Sequence, residues 1–400
     1  MYHVVNKKEF HGDNMDIKQF SDPNTGRLVP VSNVSGASHA FIPASLPPQW
    51  EWPQELWPLL LDARTALASL NGIGRHLPNP QLLLRPLQNR EALKSSSLEG
   101  TYTIPEKQLV FQLDPQEPTS EADPVNDYKE VFNYSMALQV TTNDADSLPL
   151  SLRLICKLHS ILMTGVRGSD KEPGKFRRLQ VQVGRPARYV PPPPNEVMPC
   201  LDNFEKYLHQ NTPYDPLVNA FLAHYQFEAI HPFRDGNGRI GRLLLALTIA
   251  EWCQLTNQWL YMSAYFDNNK DDYINCLFDV STKGAWKEWI EFCLIGVVEQ
   301  SKDTENRCEK LLTLSEEFKQ RLASVKGSNR LNMILDDLLV SPVITIPNLA
   351  KKFNVRYQTA KADVDKLKKA KIIKRLREMR QKTFYSPEIL AITYQDDSEG

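Results

Sequence analysis

One stretch of the chain fits neither of the helical runs that flank it: His231-Pro232-Phe233-Arg234-Asp235-Gly236-Asn237-Gly238-Arg239-Ile240-Gly241-Arg242. Apolar residues recur at helical spacing before it, over 213–230, and after it, over 238–256. Gly236 and Gly238 flank Asn237, so consecutive backbone N–H groups can turn to one side of the chain. The loop also opens a helix, whose first N–H groups form a positive end. Together these features make an anion nest suited to phosphate. Arg239 and Arg242 are three apart and share a helix face at that same end. Asp235 adds a hard oxygen ligand of the kind Mg²⁺ uses beside phosphate. His231 stands just ahead, placed to take a proton from an incoming hydroxyl. A base, a metal carboxylate, a phosphate nest and two arginines compose a nucleotidyl-transfer site. No G-x-x-x-x-G-K-[S/T] occurs in the chain, which excludes a P-loop.

Around this stretch the sequence predicts a mainly α-helical body with one small β element. Helical spacing begins near Pro53 (Leu56, Leu59, Leu60, Ala63, Leu67, Leu70) and recurs over about 80–97, 125–142 and 149–164. Gly165, Gly168, Pro173, Gly174, Gly184 and the run Pro191 to Pro194 forbid a long helix between 165 and 195. Within that gap Leu179-Gln180-Val181-Gln182-Val183 alternates apolar and polar, the period of a half-exposed strand. Helices are expected again over 195–210, 213–230, 238–256, 267–281 and 284–325. Residues 1–45 show no sustained period and read as an arm, part of it draped over the body. The expected divisions are that arm, a helical region over 46–145, a core over 146–325 and a last unit over 326–400.

In the last unit Leu331, Ile334, Leu335, Leu338 and Leu339 form a helical stripe. Ile346-Pro347-Asn348-Leu349-Ala350 places Pro in the first turn of a short helix. A helix with Ala360, Val364 and Leu367 inward follows, and then two strand-like runs, 371–376 and 382–385. That order is the order of a winged helix-turn-helix.

Composition narrows the class. Apolar residues at 42% and charged residues at 24% match ordinary globular chains and argue against disorder. The longest largely apolar runs, Leu243 to Ala250 and Phe292 to Val298, fall far short of the ~18 residues that span a bilayer. The N-terminus has no apolar signal region, so a cytoplasmic, non-membrane protein is expected. The six cysteines form no C-x-x-C pair and read as reduced core residues, not disulfides or a zinc site. Net charge is −1, yet residues 350–382 hold 13 Lys/Arg against 3 Asp/Glu, which leaves the remainder at −11.

Residues 231–242 resemble the Fic family signature, H-x-F-x-[D/E]-G-N-G-R-x-x-R, at every defined position. The likeness extends over about residues 50–300. It includes a flap hairpin from Gly174-Lys175-Phe176-Arg177 through Gln182-Val183-Gly184, the Pro191 to Pro194 run, and Tyr273, Leu277 and Gly284-Ala285-Trp286. Relatives often carry Tyr-Tyr where this chain has Asp272-Tyr273. The resemblance implies a protein adenylyltransferase using ATP and Mg²⁺. In that reading His231 is the base and Asp235 holds the metal. The nucleotide set is Phe233, Gly236, Asn237, Gly238, Arg239, Ile240, Gly241 and Arg242, joined by Val181, Gln182, Val183 and Gly184 of the flap, Tyr273 and Glu99. A target protein segment would add to the flap strand, and self-modification and a homodimer are further expectations.

Upstream, Ser95-Ser96-Ser97-Leu98-Glu99-Gly100 resembles the family's inhibitory pattern [S/T]-x-x-x-E-[G/N]. By resemblance Glu99 pairs with Arg242, in a bidentate carboxylate–guanidinium contact, where the γ-phosphate would sit. Plainer readings stand beside these: Asp235 as a simple helix N-cap, Glu99 as a helix end before the cap Gly100, and His159 and His224 as core histidines. Tyr189 with the proline run reads as a rigid connector. The basic tail suits DNA phosphates through Lys361, Lys368, Lys369 and Arg380, or equally a solvated face on a unit that docks protein. Rival functions are phosphotransfer, AMP removal and a nucleotide-sensing transcriptional regulator. The phosphotransfer branch usually carries Lys where Gly238 stands.

Overall fold

The computed structural model describes residues 15–32, 37–75, 79–142, 148–167, 171–184, 187–323, 329–376 and 382–395. A hairpin of β1 (Gly26–Pro30) and β2 (His39–Pro43) leads into α1 (Trp57–Arg75), α2 (Gln81–Leu98), α3 (Pro105–Leu113), α4 (Val125–Thr142) and α5 (Leu152–Met163). After the proline-rich gap come α6 (Pro194–His209), α7 (Pro216–Ile230), α8 (Asn237–Trp252), α9 (Ser263–Asn268), α10 (Lys270–Lys283) and the 38-residue α11 (Trp286–Ala323). The chain ends in α12 (Asn329–Val340), β3 (Val343–Thr345), α13 (Ile346–Lys352), α14 (Tyr357–Lys369), β4 (Lys374–Leu376), β5 (Thr383–Tyr385) and α15 (Pro387–Tyr394). No helix among the described residues is long and apolar enough to cross a membrane.

The centre is the pair α7 and α8. Twelve of the 15 residues of α7 are buried, which a helix apolar all round demands. Its start is marked by Asp215, whose side chain accepts from the Leu217 N–H, with Pro216 at the first helical position. The α8 helix packs along it, and Trp289 of α11 closes one side, its indole N–H donating to Phe221 O at 3.2 Å. The α1 helix lies against α11, and α4 and α5 pack together beside α8.

The arm holds more structure than its polar sequence suggests. Residues 26–30 and 39–43 pair in antiparallel register, Phe41 is buried, and its N–H donates to Val190 O at 2.8 Å. Gln226 of α7 donates to Ala44 O, which fastens the arm to the central helix. Residues 1–14 and 33–36 of the expected arm lie outside the described residues.

The flap differs from the expected strand. Over 179–183 only Val183 makes a ladder contact with another described residue, a single antiparallel bridge to Tyr189. Side chains have taken the partners a strand would need. Gln180 Nε2 donates to Pro191 O, Arg177 donates to Leu179 O and Pro192 O, and the facing prolines have no N–H to give.

The last unit does not stand apart. Its three strands run β3-β5-β4, both pairs antiparallel, so β3 joins the two expected strands. The α12 helix packs against α2 and α11, while α15 packs against α11, α2 and α3. Arg307 Nη1 of α11 donates to Ile392 O and Gln395 O, and Arg321 binds Glu388 with both Nη atoms. A continuous hydrophobic core runs from Leu60 through to Leu367. Gly168 and Arg380 lie outside the described residues.

Candidate active site

His231 caps α7 in the left-handed conformation, φ 50°, with its N–H on Phe227 O. A non-glycine residue there needs its surroundings to hold it. Arg177 does so: almost fully buried, it donates Nε to His231 O at 2.8 Å and Nη2 to Pro192 O at 2.6 Å. Burial, then the Arg177 charge, pushes the His231 ring down to about 4, so the imidazole is neutral at pH 7.

The loop after it is closed from inside. Asn237 accepts from the Phe233 N–H (2.8 Å) and donates to Phe233 O (3.0 Å). Its side chain therefore braces the loop from within. Phe233 is wholly buried, stacked on His159 with ring centres 3.7 Å apart, and Ile240 is equally buried. Both anchor the motif in the core, and neither side chain lines the cavity described below. His159 accepts the Gly174 N–H at Nδ1, so Nε2 carries the proton given to Asp235 O at 3.0 Å. Burial pushes its pKa down to about 4, which keeps this neutral tautomer.

Gly236 takes the N-cap position of α8 at φ 76°, and its N–H donates to Asp235 Oδ1. Asp235 Oδ2 meets Lys171 Nζ at 2.6 Å. Burial works to raise the Asp235 carboxyl, but Lys171 and Arg239 outweigh it and hold it below the usual range. Arg239 is held in turn by Glu130, Nη1 to Oε2 at 3.4 Å, and Glu130 also accepts from Thr101 and Arg167.

Arg242 is buried and reaches back to α2. Its Nε donates to Ser95 Oγ (2.9 Å), and Nη2 donates to Ser95 O and Glu99 Oε1, both at 2.8 Å. The contact with Glu99 is monodentate, not the expected fork, because Ser95 takes the other edge of the guanidinium. Glu99 is the C-cap of α2, and Gly100 follows at φ 86°, so the helix-end reading and the pairing hold together. Burial alone would raise the Glu99 carboxyl; Arg242 and Arg239 outweigh it and lower its pKa.

Glu99, His231, Gly238, Arg242, Tyr273 and Val183 line one cavity of about 230 Å³, with Leu277, Phe278 and Tyr225 forming an apolar end. Tyr189, read from sequence as a connector, lines it too and donates its hydroxyl to Ala229 O. Val181, Gln182 and Gly184 do not line it. Tyr273 stacks on Phe266 at 4.3 Å and bonds its hydroxyl to His224 Nε2, which ties that core histidine to the site. Glu228 also lines the cavity, and sequence reasoning missed it. Among the described residues its Oε1 is buried without a hydrogen-bond partner, and burial raises its pKa to about 7. A lone acid inside the apolar run of α7 was the signal that could have found it.

Residues 149–249 match the profile of the Fic/DOC family, and residues 57–143 match that of the Fic/DOC family N-terminal region. "Protein adenylyltransferase Fic" of Drosophila grimshawi is 35% identical over 124 residues, 30% of this chain and 25% of that protein. Its namesake from Drosophila mojavensis is 34% identical over 124 residues, 30% of this chain and 24% of that protein. The chain thus spans about a quarter of the length of these relatives. A solved Fic family protein from Desulfovibrio desulfuricans shares the fold, with TM-score 0.55 and 19% identity over 85% of this chain and 98% of that one. The motif at the junction of α7 and α8 and the α2 carboxylate seated against it lie in the two segments, 149–249 and 57–143, that match the two parts of the Fic/DOC family.

Proposed function

We propose that this chain is a protein adenylyltransferase that moves AMP from ATP to a Ser, Thr or Tyr hydroxyl of a target protein and restrains itself through Glu99. The observation that carries the reading is the meeting of His231, Gly238, Arg242 and Glu99 in one cavity. The neutral His231 ring accepts the proton of the incoming hydroxyl. That oxygen bonds to the α-phosphorus, the bond from phosphorus to the bridging oxygen breaks, and pyrophosphate leaves. The first N–H groups of α8, around Gly238, face the phosphate oxygens, and Arg242 orients the γ-phosphate once Glu99 has moved away. Arg239, steadied by Glu130, balances phosphate charge. Most of the rate gain then comes from position and charge.

Among the described residues no group of three or more His, Cys, Asp or Glu gathers into a metal cage. A single ionised Asp235 fits Mg²⁺ that arrives with its nucleotide, since this ion uses one or two carboxylates plus phosphate oxygens. Asp235 would hold it, and the ion supplies neutralising charge to the phosphates. The extended 179–183 segment, with Leu179 and Val183 exposed, is our candidate for target docking by strand addition. Six free cysteines favour a reducing compartment, the cytoplasm.

The test uses ATP labelled at the α- or the γ-phosphate, with Mg²⁺ and cell lysate. Protein labelling from the α-label alone, raised in Glu99→Gly and lost in His231→Ala, is expected. Labelling from the γ-label alone would replace this reading with phosphotransfer.

A further inference from the structure

We propose that the C-terminal unit binds duplex DNA, with α14 lying in the major groove. The unit is joined to the body through α12 and α15, whereas α14 packs chiefly on α13. Its inner face is Ala360, Val364 and Leu367, all buried. Its outer face, Tyr357, Gln358, Lys361, Ala362, Asp365, Lys368 and Lys369, is exposed. At 13 residues the helix is about 20 Å long, enough to lie along a groove.

Charge on this side is one-signed. From Lys351 to Leu376 there are ten Lys/Arg against two Asp/Glu, and one of the two, Asp363, is buried under Arg330 at 2.7 Å. The exposed acid, Asp365, stands 3.9 Å from Lys368. The rest of the chain is acidic, so a polyanion is drawn to this unit and turned away elsewhere. The edge strand β4 adds exposed Lys374 and Arg375 beside the helix, suited to flanking phosphates.

A charged face alone would be a solvated one; the residues at the start of α14 make the difference. The short α13, a turn through Asn354 at φ 49° and then α14 give a helix-turn-helix whose second helix leads with Arg356, Tyr357, Gln358 and Lys361. In such motifs the leading residues of the second helix meet base edges. Arg and Gln carry the paired groups that match guanine and adenine in the major groove. An acidic protein partner would also be attracted, but its interface would need an apolar centre. Tyr357 is the one large apolar side chain exposed on this face among the described residues. The proposal does not depend on the AMP-transfer reading.

The experiment uses the full chain and a labelled 30-bp duplex of mixed sequence, titrated at 50 and 200 mM KCl. About five phosphate contacts predict a log–log salt slope near −4.5, a loss of several hundred-fold over that range. Lys361→Glu with Lys369→Glu, both exposed, should weaken binding at least tenfold and flatten the slope by about 2. Selection from a randomised duplex pool should return a recurrent motif. Gln358→Ala should relax that motif at one position and weaken binding to the selected duplex about tenfold. No retention of duplex at 50 mM KCl would overturn the proposal. So would equal binding by the double variant, or equal affinity for single-stranded DNA. An acidic protein that saturates this face where duplex does not would overturn it as well.

Discussion

The carboxylate of Glu99 lies across Gly238: a Cβ on Gly238 would stand 2.2 Å from Glu99 Oε1 and 2.8 Å from Arg242 Nη1. The end of α2 thus covers the first turn of α8, the place where helix N–H groups are open to an anion. A carboxylate and a phosphate cannot both sit there. The bond from Arg242 Nη2 to Glu99 Oε1 is charge-assisted, and such a bond contributes roughly 1.5–3 kcal/mol.

Glu99→Gly should therefore raise AMP transfer by about 10- to 100-fold, the factor that energy represents. Glu99→Gln, which keeps the shape and loses the charge, should fall between that variant and wild type. Initial rates with α-labelled ATP read both; a Gln variant as restrained as wild type would place the restraint in packing and not in charge.

His231→Ala should lower transfer by about 10²- to 10⁴-fold with nucleotide binding kept. Because the ring is held near 4, the rate in the Glu99→Gly background should be level from pH 5 to 8. It should fall only as the pH drops through about 4, where the base becomes protonated. An inflection near 6.5 would show that the ring titrates as in water.

Ser95→Ala leaves Arg242 Nε without its 2.9 Å acceptor in a buried place. The expected cost is about 1–3 kcal/mol in folding stability, with a rise of a few-fold in basal transfer as the arginine loosens. Denaturant melts paired with initial rates separate the two effects.

The α12 helix packs on α2, so the C-terminal unit supports the helix that carries Glu99. Leu335→Ala opens a cavity in that buried stripe and should cost about 2–5 kcal/mol. Basal transfer should rise without any change at Glu99. Hydrogen exchange over 81–98 should quicken in the same variant, and unchanged exchange would mean that α2 is held from elsewhere.

Glu228 sits 2.0 Å from where a Cβ on Gly241 would stand, and burial lifts its pKa from 4.5 to about 7, with Arg242 working against the rise. The folded state thus holds this proton more tightly than the unfolded chain. Stability from this group is greatest below pH 4.5, is lost as the pH rises to about 7, and stays lost above. Glu228→Gln should stabilise the protein at pH 8 by roughly 1–3 kcal/mol and have no such effect at pH 4.5. Melting temperatures at the two pH values decide it.

The motif at 231–242 was legible because its parts are contiguous: a turn of fixed spacing opens a helix, and chain geometry alone puts Arg239 and Arg242 on one face. The longer helices followed for the same local reason, and α4 falls on 125–142 as its apolar spacing predicts, whereas the short α3, α9 and α15 were not expected. Sequence order could not say which way each motif side chain turns. Phe233 faces inward because His159 of α5 receives its ring, and Ile240 because it packs into the buried core, while Asn237 turns back on its own loop. The flap lost its strand because Arg177 and Gln180 met carbonyls that only the folded proline run presents. Glu228 escaped notice, and Arg177 was named only as part of the flap, since desolvation belongs to a fold and not to a residue type. Local spacing along the chain accounts for the longer helices, the loop and the chemistry available to it. Which of those groups face the cavity, that Ser95 shares Arg242 with Glu99, and that the last unit rests on α2 all follow from packing between residues far apart in the chain, which no local pattern encodes.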